Sequence, residues 1–123
     1  MSVAGSAQIM TRGAASIPDL EWYRAVQNRT ATGLSRDRLT LTLFTVDKSG
    51  GSEDMQVGEV AEVLRRDYRV WDALNLDGGG SSTLALEDPA THVASLLDAS
   101  SDKDPGSGRA VGSSLAVFAR PQP

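Results

Sequence analysis

The stretch Leu39–Val46 (Leu-Thr-Leu-Thr-Leu-Phe-Thr-Val) alternates apolar and polar positions more regularly than any other part of the chain. A period of two is the signature of a strand, because successive side chains point to opposite faces. Leu39, Leu41 and Leu43 then share one face, and Thr40 and Thr42 the other. Arg29–Ser35 alternates in the same way and is rich in threonine. Asp37-Arg38 reads as the turn between them, so the two segments are expected to pair as an antiparallel hairpin.

The period changes after the polar, glycine-bearing loop Lys48–Glu53. Val57, Val60, Ala61, Leu64 and Tyr68 recur at helical spacing, which predicts a helix from a cap at Asp54 to about Tyr68 with these residues as its buried stripe. Gly58 inside that helix is unfavourable by about 1 kcal/mol relative to alanine, so close packing is expected there. Glu59, Glu62, Arg66 and Arg69 form the solvated face.

Around this centre the signals are shorter. Ser6–Thr11 reads as a strand and Arg12-Gly13 as a turn. Ser16, followed by Pro18, reads as the start of a short helix that includes Leu20–Val26. Trp71–Asp77 reads as a buried strand running into Gly78-Gly79-Gly80. Thr83–Leu86 and His92–Leu97 form a second hairpin about Asp88-Pro89. Ser100–Gly108 is a loop, and Ala110–Ala119 a closing strand. Antiparallel strands with one main helix make an α+β domain.

Composition narrows the chemistry. The 123 residues are one domain's worth of chain. There is no cysteine, which removes disulfides, thiolate metal sites and a cysteine nucleophile. The single histidine, His92, excludes a multi-histidine metal site. A net charge of -4 leaves no basic footprint for nucleic acid. No apolar run approaches the ~18 residues of a membrane span, and Met1–Ser16 lacks the apolar region of a signal peptide.

The most informative stretch is Asn75-Leu76-Asp77-Gly78-Gly79-Gly80-Ser81-Ser82-Thr83. A carboxylate ends a strand, three glycines follow, then three hydroxyls. Asp77 is placed to act as acid, base or metal ligand. The glycines allow a close backbone approach to a ligand, with successive N–H groups forming an anion-binding nest and Ser81, Ser82 and Thr83 adding hydroxyl donors. The bland alternative is a glycine-rich turn whose polar groups satisfy one another. The stretch is neither a Walker loop nor a dinucleotide fingerprint. Trp22 and Trp71 read as packing residues, with sugar stacking as the alternative for Trp22.

Four ordered segments resemble the phosphodiester glycosidase family. Asn75–Thr83 is similar to its glycine motif, and Arg29-Thr30-Ala31-Thr32-Gly33 to its Arg-Thr-Ala-x-Gly strand. Phe44-Thr45-Val46-Asp47 is similar to its strand ending in Val-Asp. Arg109-Ala110-Val111-Gly112, continuing to Phe118, is similar to its closing Arg-Pro-Val-Gly strand. The chain departs from the family pattern at Lys48-Ser49 and at Gly108, and it carries no match to the family's N-terminal Asn-Gly-Gly-aromatic motif. The resemblance therefore implies the C-terminal part of a larger family domain, completed by a missing N-terminal segment or by a second copy.

The resemblance implies a hydrolase that cleaves a sugar 1-phosphodiester, of the GlcNAc-1-phosphate kind, at the glycosidic C–O bond. Asp47 and Asp77 are then the catalytic pair. Arg29 and Arg109 bind phosphate, together with Gly78, Gly79, Gly80, Ser81, Ser82 and Thr83. A divalent cation held by the two aspartates is the variant that would make the protein a metal-dependent phosphodiesterase. A further alternative is a non-catalytic relative that binds a sugar phosphate. Family members are typically exported or lumenal.

Overall fold

Two threonine-bearing strands with matching alternation can pair only if their buried faces coincide, and they do. In a computed structural model, which describes residues 5–48, 53–98 and 109–120, the strand Arg29–Ser35 (β3) pairs antiparallel with Leu41–Val46 (β4). The register sets Arg29 opposite Val46, Ala31 opposite Phe44 and Gly33 opposite Thr42. On its other side β3 pairs antiparallel with Val70–Asn75 (β5). Ala7–Thr11 (β1) continues the sheet beyond β5, and the two-residue strand Ala14–Ala15 (β2) ends it. The order is β2-β1-β5-β3-β4, antiparallel throughout, with β5 at the centre.

One main helix, Val57–Tyr68 (α2), packs over β5, β1 and β3. It buries Val57, Val60, Ala61 and Leu64 against Ile9, Met10, Ala31, Val46, Val70 and Ala73. Tyr68 departs from the expected stripe. It sits at the helix end, 54% exposed, with its ring edge-on to Phe44 at 6.4 Å. The cap also differs from the expected Asp54. Gln56 is the N-cap, and its backbone N–H donates to the Glu59 carboxylate at 2.8 Å, as in a capping box. Asp54 is instead buried and paired with Lys48 at 3.5 Å. Gly58 is exposed, and a Cβ there would meet only Ile17 at an ordinary 3.8 Å, so packing does not require glycine.

The opposite face of the sheet is open. Leu34, Leu41 and Leu43 share it with Thr32, because the β3–β4 register pairs Leu34 with Leu41 and Thr32 with Leu43. These three leucines are 38–45% exposed. A groove of about 440 Å³ runs over this face, lined by Leu34, Leu41, Leu74, Leu76 and Leu115 among others. The leucine alternation of β4 is thus real, but its apolar side is the uncovered one.

The short helix of the N-terminal region is a single turn, Glu21–Arg24 (α1), capped at Leu20 and not at Ser16. The Ser16 hydroxyl instead bonds the Thr11 hydroxyl at 3.2 Å. The second hairpin forms from Ala85–Glu87 (β6) and Ala94–Leu96 (β7). His92 lies in its turn at φ +57°, with Nδ1 2.8 Å from Glu87 Oε1. The expected closing strand is absent: residues 110–119 form no strand and are exposed. An alternating segment becomes a strand only with a partner for its backbone groups, and no described strand pairs with it. The expected loop over Ser100–Gly108 lies outside the described residues, as does Ser49.

Candidate active site

Antiparallel pairing gathers distant parts of the chain at one end of the sheet. Asn75, the last residue of β5, lies opposite Ala31 on one side and Ala7 on the other. The end of β5 therefore lies between the starts of β3 and β1, with the end of β4 on the far side of β3. The chain leaves β5 by Leu76, whose N–H donates to the Thr30 carbonyl at 2.8 Å, and then enters the glycine run.

The three glycines act here chiefly by what they lack. Gly78 lies so close to the preceding end of β3 that a Cβ would come within 2.8 Å of the Asn28 carbonyl oxygen. Gly79 has φ +59°, which side chains disfavour, and its N–H donates to that same carbonyl at 2.9 Å. Gly79–Ser81 make one 3-10 turn. The N–H of Gly78 donates to Asp77 Oδ1 at 2.9 Å, and those of Ser81 and Ser82 close the turn on Gly78 and Gly79. The amides of Gly78, Gly79, Ser81 and Ser82 are thus engaged within the protein and do not form the expected nest. The loop offers space and an oriented carboxylate instead.

A cavity of about 380 Å³ opens above this loop. Its lining includes Asp77, Gly78, Gly79, Gly80, Arg29 and Arg109, all singled out from the sequence. Ser6, Trp22, Tyr23, Gln27, Asn75 and Leu76 complete it. Asp77 is exposed. Asp47 is buried at the end of β4 and does not line the cavity. Ser81, Ser82 and Thr83 also lie outside the lining. Ser82 is buried, with its hydroxyl unpartnered, while Thr83 faces solvent. Among the described residues no three His, Asp or Glu side chains converge as a metal site would require.

Arg29 has a different position from that expected of a phosphate ligand. It is 2% exposed. Its Nε donates to the Met55 carbonyl at 3.0 Å, and one terminal nitrogen donates to the Trp22 carbonyl at 2.8 Å and to the Ala25 carbonyl. Burial pushes its pKa down from the ordinary arginine value, and the nearby Tyr23 and Asp54 oppose that shift. Arg29 therefore ties α1 to the approach to α2 and forms the floor of the cavity.

The remaining wall is a chain of polar contacts. Tyr23, buried at 3%, bonds the Ser6 hydroxyl at 2.6 Å. Asn75 donates through Nδ2 to Ser6 Oγ at 2.8 Å and to the Leu76 carbonyl at 2.9 Å. Trp22, next to Tyr23, is 58% exposed. Asn75 had a signal in the sequence, since it opens the stretch that runs through Asp77 into the three glycines. Ser6, Gln27 and Tyr23 had none.

The end of the sheet thus brings an oriented carboxylate, two arginines and a side-chain-free loop to one polar cavity. The family model for phosphodiester glycosidase matches residues 3–118, and the chain belongs to that family. Among solved structures it is similar to the catalytic domain of zebrafish N-acetylglucosamine-1-phosphodiester alpha-N-acetylglucosaminidase, described as auto-inhibited by its pro-peptide. The TM-score is 0.56 at 28% identity, over 66% of this chain. The chain spans 31% of that protein's length. No curated protein matches the sequence.

Proposed function

We propose that the cavity binds a sugar 1-phosphodiester and that the chain contributes to its hydrolysis at the glycosidic C–O bond. The observation that carries this reading is the convergence of Asp77, the glycine loop and Arg109 on one polar cavity. A guanidinium matches phosphate oxygens in charge and geometry, so Arg109 takes the phosphodiester. Arg29, whose Nε and one terminal nitrogen already serve backbone carbonyls, acts through the wall it holds. The Gly78 amide orients the Asp77 carboxylate. Cleavage of the anomeric C–O bond releases a phosphate monoester, a weakly basic leaving group that needs little protonation, so Asp77 serves as base or nucleophile at the anomeric side. Asp47, buried and outside the lining, takes no direct part in this reading.

The test is release of free sugar from a glycosyl phosphodiester in ¹⁸O-labelled water. The expected result is label in the sugar, with Asp77→Asn slower by about 10²–10⁴-fold. Equal rates for the two proteins would remove Asp77 from the mechanism, and label in phosphate would mean P–O cleavage. Because the chain spans under a third of the zebrafish protein, binding of a sugar phosphate without turnover is the second reading. Saturable binding with no sugar released would favour it.

A further inference from the structure

The central sheet ends differently on its two sides. At one edge β2 is only two residues long, and very short edge strands are one way in which proteins keep sheets from pairing with each other. At the other edge β4 is six residues long and pairs only with β3. None of the other blocking devices is present on it. Leu39–Val46 holds no charged residue and no proline, and the register with β3 runs without a bulge. Its threonine, phenylalanine and valine favour extended backbone.

The pairing also fixes where the backbone groups of β4 point. The Ser35 N–H donates to the Thr40 carbonyl at 3.0 Å, and the direction of these groups alternates along an antiparallel strand. Thr42, Phe44 and Val46 therefore face β3, and the N–H and C=O groups of Leu41, Leu43 and Thr45 point outward. Among the described residues no backbone group bonds them from outside. Such a row is a template for a further strand.

The three outward residues are spaced evenly about Leu43, which makes the edge its own complement. Residues 110–119 form no strand, and their Leu115 lines the groove over the open face of the sheet, so the chain supplies no strand to this edge itself. We propose that β4 is a self-association edge: two copies of the chain join β4 to β4 antiparallel, about a two-fold axis at Leu43, and their sheets become one. Leu43 then lies opposite Leu43 of the second copy and Leu41 opposite its Thr45, each pair exchanging both its hydrogen bonds. Opposed residues share a face, so the α2 helices of both copies cover the same side of the joined sheet.

Sedimentation velocity of the chain from about 10 µM to 1 mM is the first test, because an interface made of one strand edge is small and of modest affinity. Monomer is expected at the low end and dimer at the high end. Leu43→Lys sets like charges opposite each other across the axis. Leu43→Pro removes an outward N–H that β3 does not use. Each is expected to raise the dimer Kd by about tenfold or more, with the far-UV circular dichroism of wild type. The register has its own readout, which also decides the matter if either variant fails to fold. The chain has no cysteine, and residues opposed in a hydrogen-bonded pair have Cα atoms about 5.5 Å apart, within disulfide reach. Leu43→Cys is expected to give a disulfide-linked dimer on mild oxidation, and Leu86→Cys, exposed in β6, to remain monomeric. Wild-type protein that stays monomeric throughout would overturn the proposal. A dimer that both well-folded Leu43 variants leave intact would do so too, by placing the interface elsewhere, as on the open leucine face. Cross-linking of Leu43→Cys no faster than that of Leu86→Cys would likewise overturn it.

Discussion

The two faces of the central sheet carry nearly the same alternation but have different surroundings. On one face Ile9, Ala31, Val46 and Ala73 are buried beneath Val57, Val60 and Leu64 of α2. On the other, Leu34, Leu41 and Leu43 are 38–45% exposed over an open groove. Alternation assigns side chains to faces but does not say which face will be covered. That depends on where the rest of the polypeptide goes. Here β4 is apolar on both sides: Phe44 and Val46 turn toward the helix while Leu41 and Leu43 turn away. Burial of apolar surface contributes about 25 cal/mol per Å² removed from water, so the covered face carries the stability and the open face carries little.

Paired truncations should expose this difference most sharply. Leu64→Ala, in the fully buried stripe, is expected to cost about 2–5 kcal/mol. Leu43→Ala on the open face should cost less than about 1.5 kcal/mol. Denaturant unfolding of both variants checks it, and equal costs would mean that the open face is covered in solution. Next in size is Arg29→Met, which keeps the length but removes the guanidinium donors from the Trp22, Ala25 and Met55 carbonyls. A loss of about 2–3 kcal/mol is expected in the same assay, and a neutral result would mean that those carbonyls find water. The smallest effect sharpens the comparison from the solvent side of the helix. Gly58→Ala is expected to stabilise by about 0.5–1 kcal/mol, because the site is exposed and has room for a Cβ. A destabilised variant would show a contact at Gly58 that the structure lacks.

The hairpin of β3 and β4, the span of α2 and the family were all legible, because each rests on a pattern repeated over many residues or on several ordered motifs. Single-residue roles were less so. Asp54 has the chemistry of a cap, yet its pairing with Lys48 leaves the cap to Gln56 two positions on. Arg29 has the chemistry of a phosphate ligand, but a guanidinium suits carbonyl oxygens equally well, and only the fold shows which lie nearby. The glycine run announced a tight backbone approach correctly. It did not show that Asn28 and Asp77 would take up the amides. Residues 110–119 alternate like a strand, but alternation does not supply a partner.

The single turn of α1 has a consequence of its own. Four residues are far too few to nucleate a helix that persists in isolation. Its order is borrowed: Tyr23 anchors it in the core, and Arg29 holds the Trp22 and Ala25 carbonyls from the first residue of β3. The Trp22 wall is therefore no independently opening lid. It is tied to the same cooperative unit as the sheet end beneath it, so the Tyr23 amide, which donates to the Leu20 carbonyl at 3.0 Å, should exchange with solvent on the slow timescale of the core and not on that of a surface loop.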